Sequence, residues 1–509
     1  MRTGPRLTIR FLLALGLAGA SIEASQPNIL FLMSDDHAAH ALGAYGGRLA
    51  PLDPTPALDK LASEGMLFEN AFCTNSICTP SRATLLTGQY SHANRVTTLS
   101  GHLEADRQHV ANLIRAAGYQ TAMVGKWHLK REPAFDYYCV LPGQGSYFNP
   151  VMRESRTGRP WPDNSRRFSG YDSAHSTDVI VQVSIDWLKR RDRERPFFLM
   201  HHFKAPHDNF ENAERYDFLY EDTEIPEPPS LWRVPNHGSD ATRGAGTSIG
   251  KRNTRRNMGH HMFVDPSLTA EDYMRTAYQR YLKKYLRTVR GVDDGVARLL
   301  EFLESEGELD NTVVLYTSDQ GFMLGEHDYI DKRWMYEESL RIPLIVRHPA
   351  TVEAGSRDDH LVNNTDLGPT ILSLAGVEPP GFMQGRSIRP LLMRGDPSDW
   401  RQSTYYRYWM NYAHHDVPAH YGVRTKEFKL VFFYGLPLDA PGAKSADTRP
   451  GWELYDLRSD PREVKNVYGD PAYTEVAANL KAELLRLKSE IGDNDEMYPE
   501  LMAVRDKHW

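Results

Sequence analysis

From Gln26 onward, short apolar runs alternate with longer stretches whose apolar residues recur at helical spacing, the pattern of a parallel-sheet α/β fold. Five runs read as buried strands: Asn28–Met33, Thr121–Val124, Pro196–Met200, Thr312–Tyr316 and Ile342–Val346. The spacing predicts helices over Thr55–Glu64, Ala83–Thr87, Ser176–Arg190, Ala270–Glu306 and Asp366–Leu374. Pro56 falls in the first turn of the first helix, where its missing N–H costs nothing. Residues 205–265 are rich in Pro, Asn, His and Arg and weakly periodic, so they read as a long insertion that walls a site. Beyond about Trp400 the texture changes. Tyr405–Trp409, Tyr421–Arg424, Lys429–Tyr434 and Trp452–Leu457 read as antiparallel strands, and Tyr473–Ile491 as a terminal helix. The chain thus divides into 25–398, a large, mostly parallel sheet sandwiched by helices, and 399–509, a smaller antiparallel sheet with one helix.

Residues 1–24 follow a different pattern. Arg2, Arg6 and Arg10 precede an uncharged apolar run from Phe11 to Ala20, and small residues then offer cleavage after Ala20 or Ala24. About ten apolar residues are too few to span ~30 Å of hydrocarbon, so the segment reads as a cleaved secretory signal. No other apolar run reaches membrane-spanning length. The expectation is a periplasmic or secreted protein without stable membrane insertion.

Charge narrows the function classes. Sixty Lys and Arg against 67 Asp and Glu give a net charge of −7, without the basic surplus of a nucleic-acid binder. Three cysteines among 509 residues exclude a disulfide framework. The histidine pairs His201–His202, His260–His261 and His414–His415 do not argue for zinc, because adjacent residues on a strand face opposite sides.

The chemistry gathers where the strands end. Asn28–Met33 runs into Ser34, Asp35 and Asp36; Thr312–Tyr316 into Thr317, Ser318, Asp319 and Gln320. Thr121–Val124 leads to Gly125, Lys126, Trp127 and His128, and Pro196–Met200 to His201 through His207. In open parallel sheets the site lies beyond the carboxyl ends of the strands, so these ends converge. Asp35, Asp36, Asp319 and Gln320 offer oxygen ligands that suit Ca²⁺, with Mg²⁺ second, rather than zinc or copper. Without a cation, three packed acids would repel one another. Capping aspartates at two polar strand ends are the plainer alternative.

The decisive segment is Cys73-Thr-Asn-Ser-Ile-Cys78-Thr-Pro-Ser-Arg82-Ala-Thr-Leu-Leu-Thr-Gly88. Cys78-x-Pro80-x-Arg82 opens a short helix, and its first turn is a favourable place for an anion. The longer string resembles the signature of the type I sulfatases, in the alkaline-phosphatase-like superfamily. In that family the motif cysteine is oxidised after translation to formylglycine, whose hydrate is the nucleophile.

The resemblance covers nearly the whole chain after residue 24. It implies a metal set of Asp35, Asp36, formylglycine 78, Asp319 and Gln320, where Gln320 replaces the more usual Asn or His. It implies catalytic roles for Cys78, Arg82, Lys126, His128, His207 and Lys332. The implied reaction begins with one hydroxyl of the hydrate attacking sulfur, with Asp319 as base. Arg82, Lys126, Lys332 and the cation neutralise the sulfuryl oxygens. His207, with Lys332, protonates the leaving sugar oxygen, and His128 deprotonates the second hydroxyl so that sulfate is expelled. The implied partners are a sulfated carbohydrate and a formylglycine-generating maturase. Ser318 through His327 and Asp331 through Glu338 are most similar to the glucosamine-6-sulfatase-like branch of bacterial carbohydrate sulfatases. That points to an exo-acting enzyme for a glycan-derived sugar sulfate, with 6-O-sulfated N-acetylglucosamine first. Sugar contacts are expected from His327, His415, Asp416, His420 and Arg424, because polar groups this dense are costly to bury unpaired. The alternatives are a phosphatase or phosphodiesterase of the superfamily, and a non-catalytic protein that binds sulfated glycans.

Overall fold

The computed structural model describes residues 1, 4, 26–104, 107–168, 174–232, 237–249 and 264–509. The segment read as a secretory signal, residues 1 and 4 apart, and the His260–His261 pair lie outside them. Ten strands form the main sheet: β1 (Asn28–Asp35), β2 (Met66–Phe68), β3 (Gln120–Lys126), β4 (Tyr137–Leu141), β5 (Val151–Glu154), β6 (Ser165–Arg167), β7 (Phe197–Pro206), β8 (Thr312–Ser318), β9 (Leu344–Arg347) and β10 (Ser356–Asp358). Their order is β10-β2-β9-β8-β1-β7-β3-β4-β5-β6. The stretch β8-β1-β7-β3-β4 is parallel throughout.

β1 shows why the sequence folds this way. Ile29, Phe31 and Met33 face one core with Ala83, Leu86, Ile114 and Ile371; Leu30 and Leu32 face the other with Leu61, Ile180, Val296 and Leu299. Both faces are covered by helices, so the strand is apolar at every position rather than alternating. Each such fully buried side chain contributes about 1.5–3 kcal/mol. The covering helices are α1 (Pro56–Ser63), α2 (Cys78–Thr87), α3 (Ser176–Arg190), α4 (Ala270–Ser305) and α5 (Leu367–Leu374).

Two expectations change. The run expected at Ile342–Val346 begins at Leu344 and is antiparallel to both β8 and β2. The chain between β8 and β9 loops out to build the site and returns directly beside the strand it left, without a crossover helix. Strands β4 to β6 also widen the sheet; β5 and β6 are too short and too polar to declare themselves. Among the described residues of the insertion, the regular structure is confined to short helical turns at Glu214–Tyr216 and Pro229–Leu231. Phe210, Ile225, Leu231 and Ile249 pack on the first half of α4.

Beyond residue 400, β11 (Ser403–Tyr408), β12 (His420–Thr425), β13 (Phe428–Phe433) and β14 (Gly451–Asp456) form an antiparallel sheet in chain order. One face packs on α6 (Thr474–Ile491) and α7 (Pro499–His508), through Tyr421, Leu430 and Leu454 against Leu484 and Leu501. The other face lies on the main domain, through Tyr406, Tyr408 and Phe433 against Trp334 and Tyr336. The edge of β11 braces the cysteine motif: Arg407 N–H donates to the Thr74 carbonyl (3.0 Å) and Ser76 N–H to the Tyr406 hydroxyl (3.2 Å). That hydroxyl donates in turn to the Arg333 carbonyl at 2.7 Å. Among the described residues no helix is long and apolar enough to cross a membrane.

Candidate active site

β1 delivers Asp35 and Asp36 to the carboxyl edge of the sheet, and β8 delivers Asp319 and Gln320. Asp36 has a left-handed backbone (φ 69°), fixed by Tyr285 of α4, whose hydroxyl donates to the Asp36 carbonyl (2.7 Å) and accepts from Ala38 N–H (2.9 Å). The carboxylate oxygens of Asp35, Asp36 and Asp319 lie within 4.8 Å of one another, all buried. Asp319 is held on both oxygens. Oδ1 accepts from the N–H groups of Asp36 and Gln320 (3.1 Å each), and Oδ2 from Arg82 Nε (3.0 Å) and Nη2 (2.8 Å).

Three cations answer the three acids. Lys126 contacts the Asp35 carboxylate and donates to Gln144 Oε1 at 2.6 Å. Lys332 donates to Asp36 Oδ2 at 2.5 Å. Arg82 donates its remaining Nη1 to the Lys126 carbonyl at 2.6 Å. Burial pushes the Asp35 carboxyl up, but Lys126, His207, Arg82 and Lys332 together hold it well below the usual carboxylate range. Burial and the Asp35 charge push Asp319 up to about 8, against Arg82.

Two buried oxygens, Asp35 Oδ1 and Gln320 Oε1, have no hydrogen-bond partner among the described residues. Orphaned acceptors beside three converging carboxylates are what a bound cation would satisfy. The donor set fits a hard, oxygen-seeking ion. Asp35, Cys78 and His207 form a second, overlapping group that shares Asp35.

Cys78 is the first residue of α2, entered from an extended Ile77. Its thiol is buried, lies 3.6 Å from Gln320 Nε2, and is pushed up to about 12 by burial despite Lys332. An unmodified thiol here is protonated at neutral pH and a poor nucleophile. His207 faces Asp36 (Nε2 to Oδ2, 3.7 Å) and is held from behind by the Asp208 carboxylate (Nδ1 to Oδ1, 2.5 Å). Thr79 donates to the His128 carbonyl at 3.2 Å, which ties that residue to the start of α2. Burial and Lys126 lower the His128 imidazole well below its ordinary value, so it is neutral and able to accept a proton.

The structure thus brings together Asp35, Asp36, Cys78, Arg82, Lys126, His128, His207, Asp319, Gln320 and Lys332. One of their expected roles changes. Arg82 is only 2% exposed and its guanidinium is committed to Asp319 and the Lys126 carbonyl, so it orients a carboxylate rather than reaching sulfuryl oxygens. Asp319 accepts hydrogen bonds on both oxygens, so a proton taken up there displaces one of them. His201 and His202 face opposite ways, to Ser184 (2.8 Å) and Arg82 (3.3 Å).

The expected sugar contacts divide. His415 lies 3.6 Å from Asp331, next to Lys332, and 3.1 Å from the Thr247 hydroxyl; Asp416 follows it with a left-handed backbone (φ 54°). His420 is fully buried between Tyr406 and Phe433, with Nδ1 2.7 Å from the Pro418 carbonyl, so its polarity is met by backbone. His327 is buried and stacked on His237 at 4.1 Å. Arg424 pairs with Glu337 and lines a different cavity, of about 540 Å³, where the C-terminal sheet meets the main domain. These three are not placed to touch a sugar at the catalytic centre. The sequence reading also missed Asp331 and Arg333, which flank Lys332 with left-handed backbones and pair with each other. The Asp-Lys-Arg run around Lys332 was their only signal.

A doubly covered α/β sheet whose strand ends gather three buried acids, three cations and two histidines around a helix-start cysteine defines a hydrolase of anionic esters. The chain belongs to the sulfatase family, within the alkaline-phosphatase-like superfamily: the Sulfatase family model matches residues 27–377. A second model, N-sulphoglucosamine sulphohydrolase, C-terminal, matches residues 325–490. The chain is 37% identical to an N-acetylglucosamine-6-O-sulfatase of Bacteroides thetaiotaomicron, over 97% of this chain and 93% of the relative. It is 30% identical to the N-acetylglucosamine-6-sulfatase of Homo sapiens, over 77% of this chain and 69% of that one. Among solved structures, one in complex with its substrate D-glucosamine-2-N,6-O-disulfate matches with a TM-score of 0.83 and 37% identity, over 92% of this chain and 99% of that one. The protein is therefore a sulfuric ester hydrolase, and neither a phosphatase nor a non-catalytic binding protein is its family reading.

Proposed function

We propose that this sulfatase removes the 6-O-sulfate of N-acetylglucosamine or a related glucosamine in a sulfated glycan, acting at a chain end. The observation that carries the reading is the 37% identity over nearly the full length to a relative named for that reaction. Asp331, Arg333 and His415, clustered beside Lys332, are the side chains that would hold the sugar hydroxyls.

Cys78 is read as the precursor of formylglycine, made by a maturase, and the poor nucleophilicity of its buried thiol supports that. Asp35, Asp36, Asp319 and Gln320, with residue 78, would hold Ca²⁺ (Mg²⁺ second), which supplies positive charge for the sulfuryl oxygens. One hydroxyl of the hydrated aldehyde gives its proton to Asp319, whose raised affinity for a proton suits it to the role, and forms the new bond to sulfur as the sugar oxygen leaves. His207, steadied by Asp208, gives that oxygen a proton, and Lys126 and Lys332 neutralise the charge on the sulfuryl group. The sulfated hydrate then collapses: His128 takes the proton of the second hydroxyl, sulfate departs, and the aldehyde returns to be hydrated again. The basic, then apolar, then small-residue pattern of residues 1–24 supports export to the periplasm or beyond.

The deciding experiment assays purified, matured protein on N-acetylglucosamine sulfated at O3, O4 or O6. Sulfate release from the 6-O isomer alone is expected. Hydrolysis of another isomer in preference, or of none, overturns the assignment.

A further inference from the structure

Next to the catalytic centre lies a second cavity, of about 280 Å³. Ser146, Tyr147, Lys204, Asp208, Asn209 and Glu211 line it. It adjoins the proton donor: Asp208 holds His207 Nδ1, and the Tyr147 hydroxyl donates to the His207 carbonyl at 2.5 Å. The cavity thus lies behind the proton donor, and Asp208, whose charge also acts on Lys332, is the wall it shares with the site.

Lys204 makes this more than a surface hollow. It is only 3% exposed, yet its ammonium has no hydrogen bond or ion pair among the described residues and rests 4.5 Å above the Tyr147 ring. The residue is buried but borders the cavity, so the ammonium's donors are left to meet acceptors brought in by a ligand. Burial and Lys126 bring the ammonium down to about 8, which leaves it mostly charged at neutral pH.

The rest of the lining decides the ligand. Two carboxylates, Asp208 and Glu211, stand against one ammonium, which disfavours a second sulfate or a carboxylate. Donors from Lys204, Asn209 and Ser146 interleaved with those two acceptors suit vicinal hydroxyls, each of which both donates and accepts. Phe148, at the rim and 37% exposed, offers a ring face for stacking. The volume lies just below the about 300–1,000 Å³ of drug-sized sites, room for one sugar ring. We propose that this cavity is a subsite for a neutral, hydroxyl-bearing sugar unit adjoining the sulfated one, so that the enzyme works on the end of an oligosaccharide in preference to a free monosaccharide. The inference rests on the carbohydrate reading above.

The test compares kcat/KM for 6-O-sulfated N-acetylglucosamine and for the disaccharide in which it is linked to galactose, alongside a small aryl sulfate. The wild type should favour the disaccharide by about tenfold or more, ~1.4 kcal/mol of extra binding. Lys204→Met should erase that preference while leaving the monosaccharide within about threefold of wild type. Phe148→Ala, on the surface and no threat to folding, should erode it in the same direction. Equal kcat/KM for both saccharides in the wild type, or equal losses on both in Lys204→Met, would overturn the subsite. A preference for a uronic acid over galactose would overturn its neutral character. Hydrolysis of the aryl sulfate with neither saccharide touched would instead overturn the carbohydrate reading, and the subsite with it.

Discussion

Arg82 does more than its place in the Cys78-x-Pro80-x-Arg82 motif suggests. Its fork clamps Asp319 through two N–H donors while a third reaches the Lys126 carbonyl, so one side chain couples the second acid to the first lysine. A lysine would keep the charge and lose the planar fork. Arg82→Lys should therefore weaken Ca²⁺ binding by about 2–3 kcal/mol, the scale of lost charge-assisted hydrogen bonds, with kcat falling alongside; calorimetric titration checks it. Cys78 allows a sharper test. Peptide mass spectrometry of active protein should find residue 78 as an aldehyde, Cys78→Ala should abolish turnover, and Cys73→Ser and Cys139→Ser should keep most of it. Active protein with a wholly unmodified Cys78 thiol would refute the assigned nucleophile. The motif residues were legible because their chemistry demands fixed types at fixed spacings. The residues expected to meet the sugar were less so, and His420 shows why: a neutral imidazole with one nitrogen on a backbone carbonyl sits among aromatic rings as comfortably as a hydrophobe, so a polar residue need not mean an exposed one.

Among the elements, some that bury a continuous apolar face were legible to within a residue or two, as with α3 over Ser176–Arg190 and β8 from Thr312. The helix expected at Ala83–Thr87 instead begins at Cys78, and the strand expected to end at Met200 runs on to Pro206, because polar site residues continue both. What the local pattern does not carry is contact between distant segments. β11 reads as a strand of a separate small sheet, and only in three dimensions does its edge meet Thr74 and Ser76, some 330 residues earlier. Tyr406 is the joint, its hydroxyl shared between the Ser76 N–H and the Arg333 carbonyl. Tyr406→Phe keeps the ring packing and strands both backbone groups in a buried place, at a cost of about 1–3 kcal/mol. Because the two ends of that bridge lie beside Cys78 and Lys332, the loss should appear in kcat on sugar and aryl sulfates alike, as well as in thermal stability. A variant with wild-type turnover would show that the C-terminal sheet supports the fold without steadying the site.

Across the whole molecule, the acid cluster joins two strands of the central sheet to α2 and α4, so its electrostatic state is a term in global stability. Asp319 is pushed up to about 8 by burial and the Asp35 carboxylate. A carboxyl raised above its unfolded value contributes stability that is complete below about pH 4 and is lost as pH climbs through about 8. Asp35 is held well below its ordinary range by its cations after burial is overcome, so its contribution is lost only as pH falls and stays level from neutral upward. A bound cation needs Asp319 as the carboxylate and displaces its proton, so part of the binding energy is spent below pH 8 and released above it. At a hundredfold excess over Kd, the cation stabilises the folded state by about 2.7 kcal/mol, and Kd itself tightens as Asp319 ionises. The unfolding temperature should therefore be higher in Ca²⁺ than in chelator, and the gap should widen from about pH 6 to about pH 8.5. Asp35→Asn should close the gap at both pH values. A gap that narrows toward alkaline pH would mean that the metal does not compete with the Asp319 proton, and a gap that persists in Asp35→Asn would place the ion elsewhere.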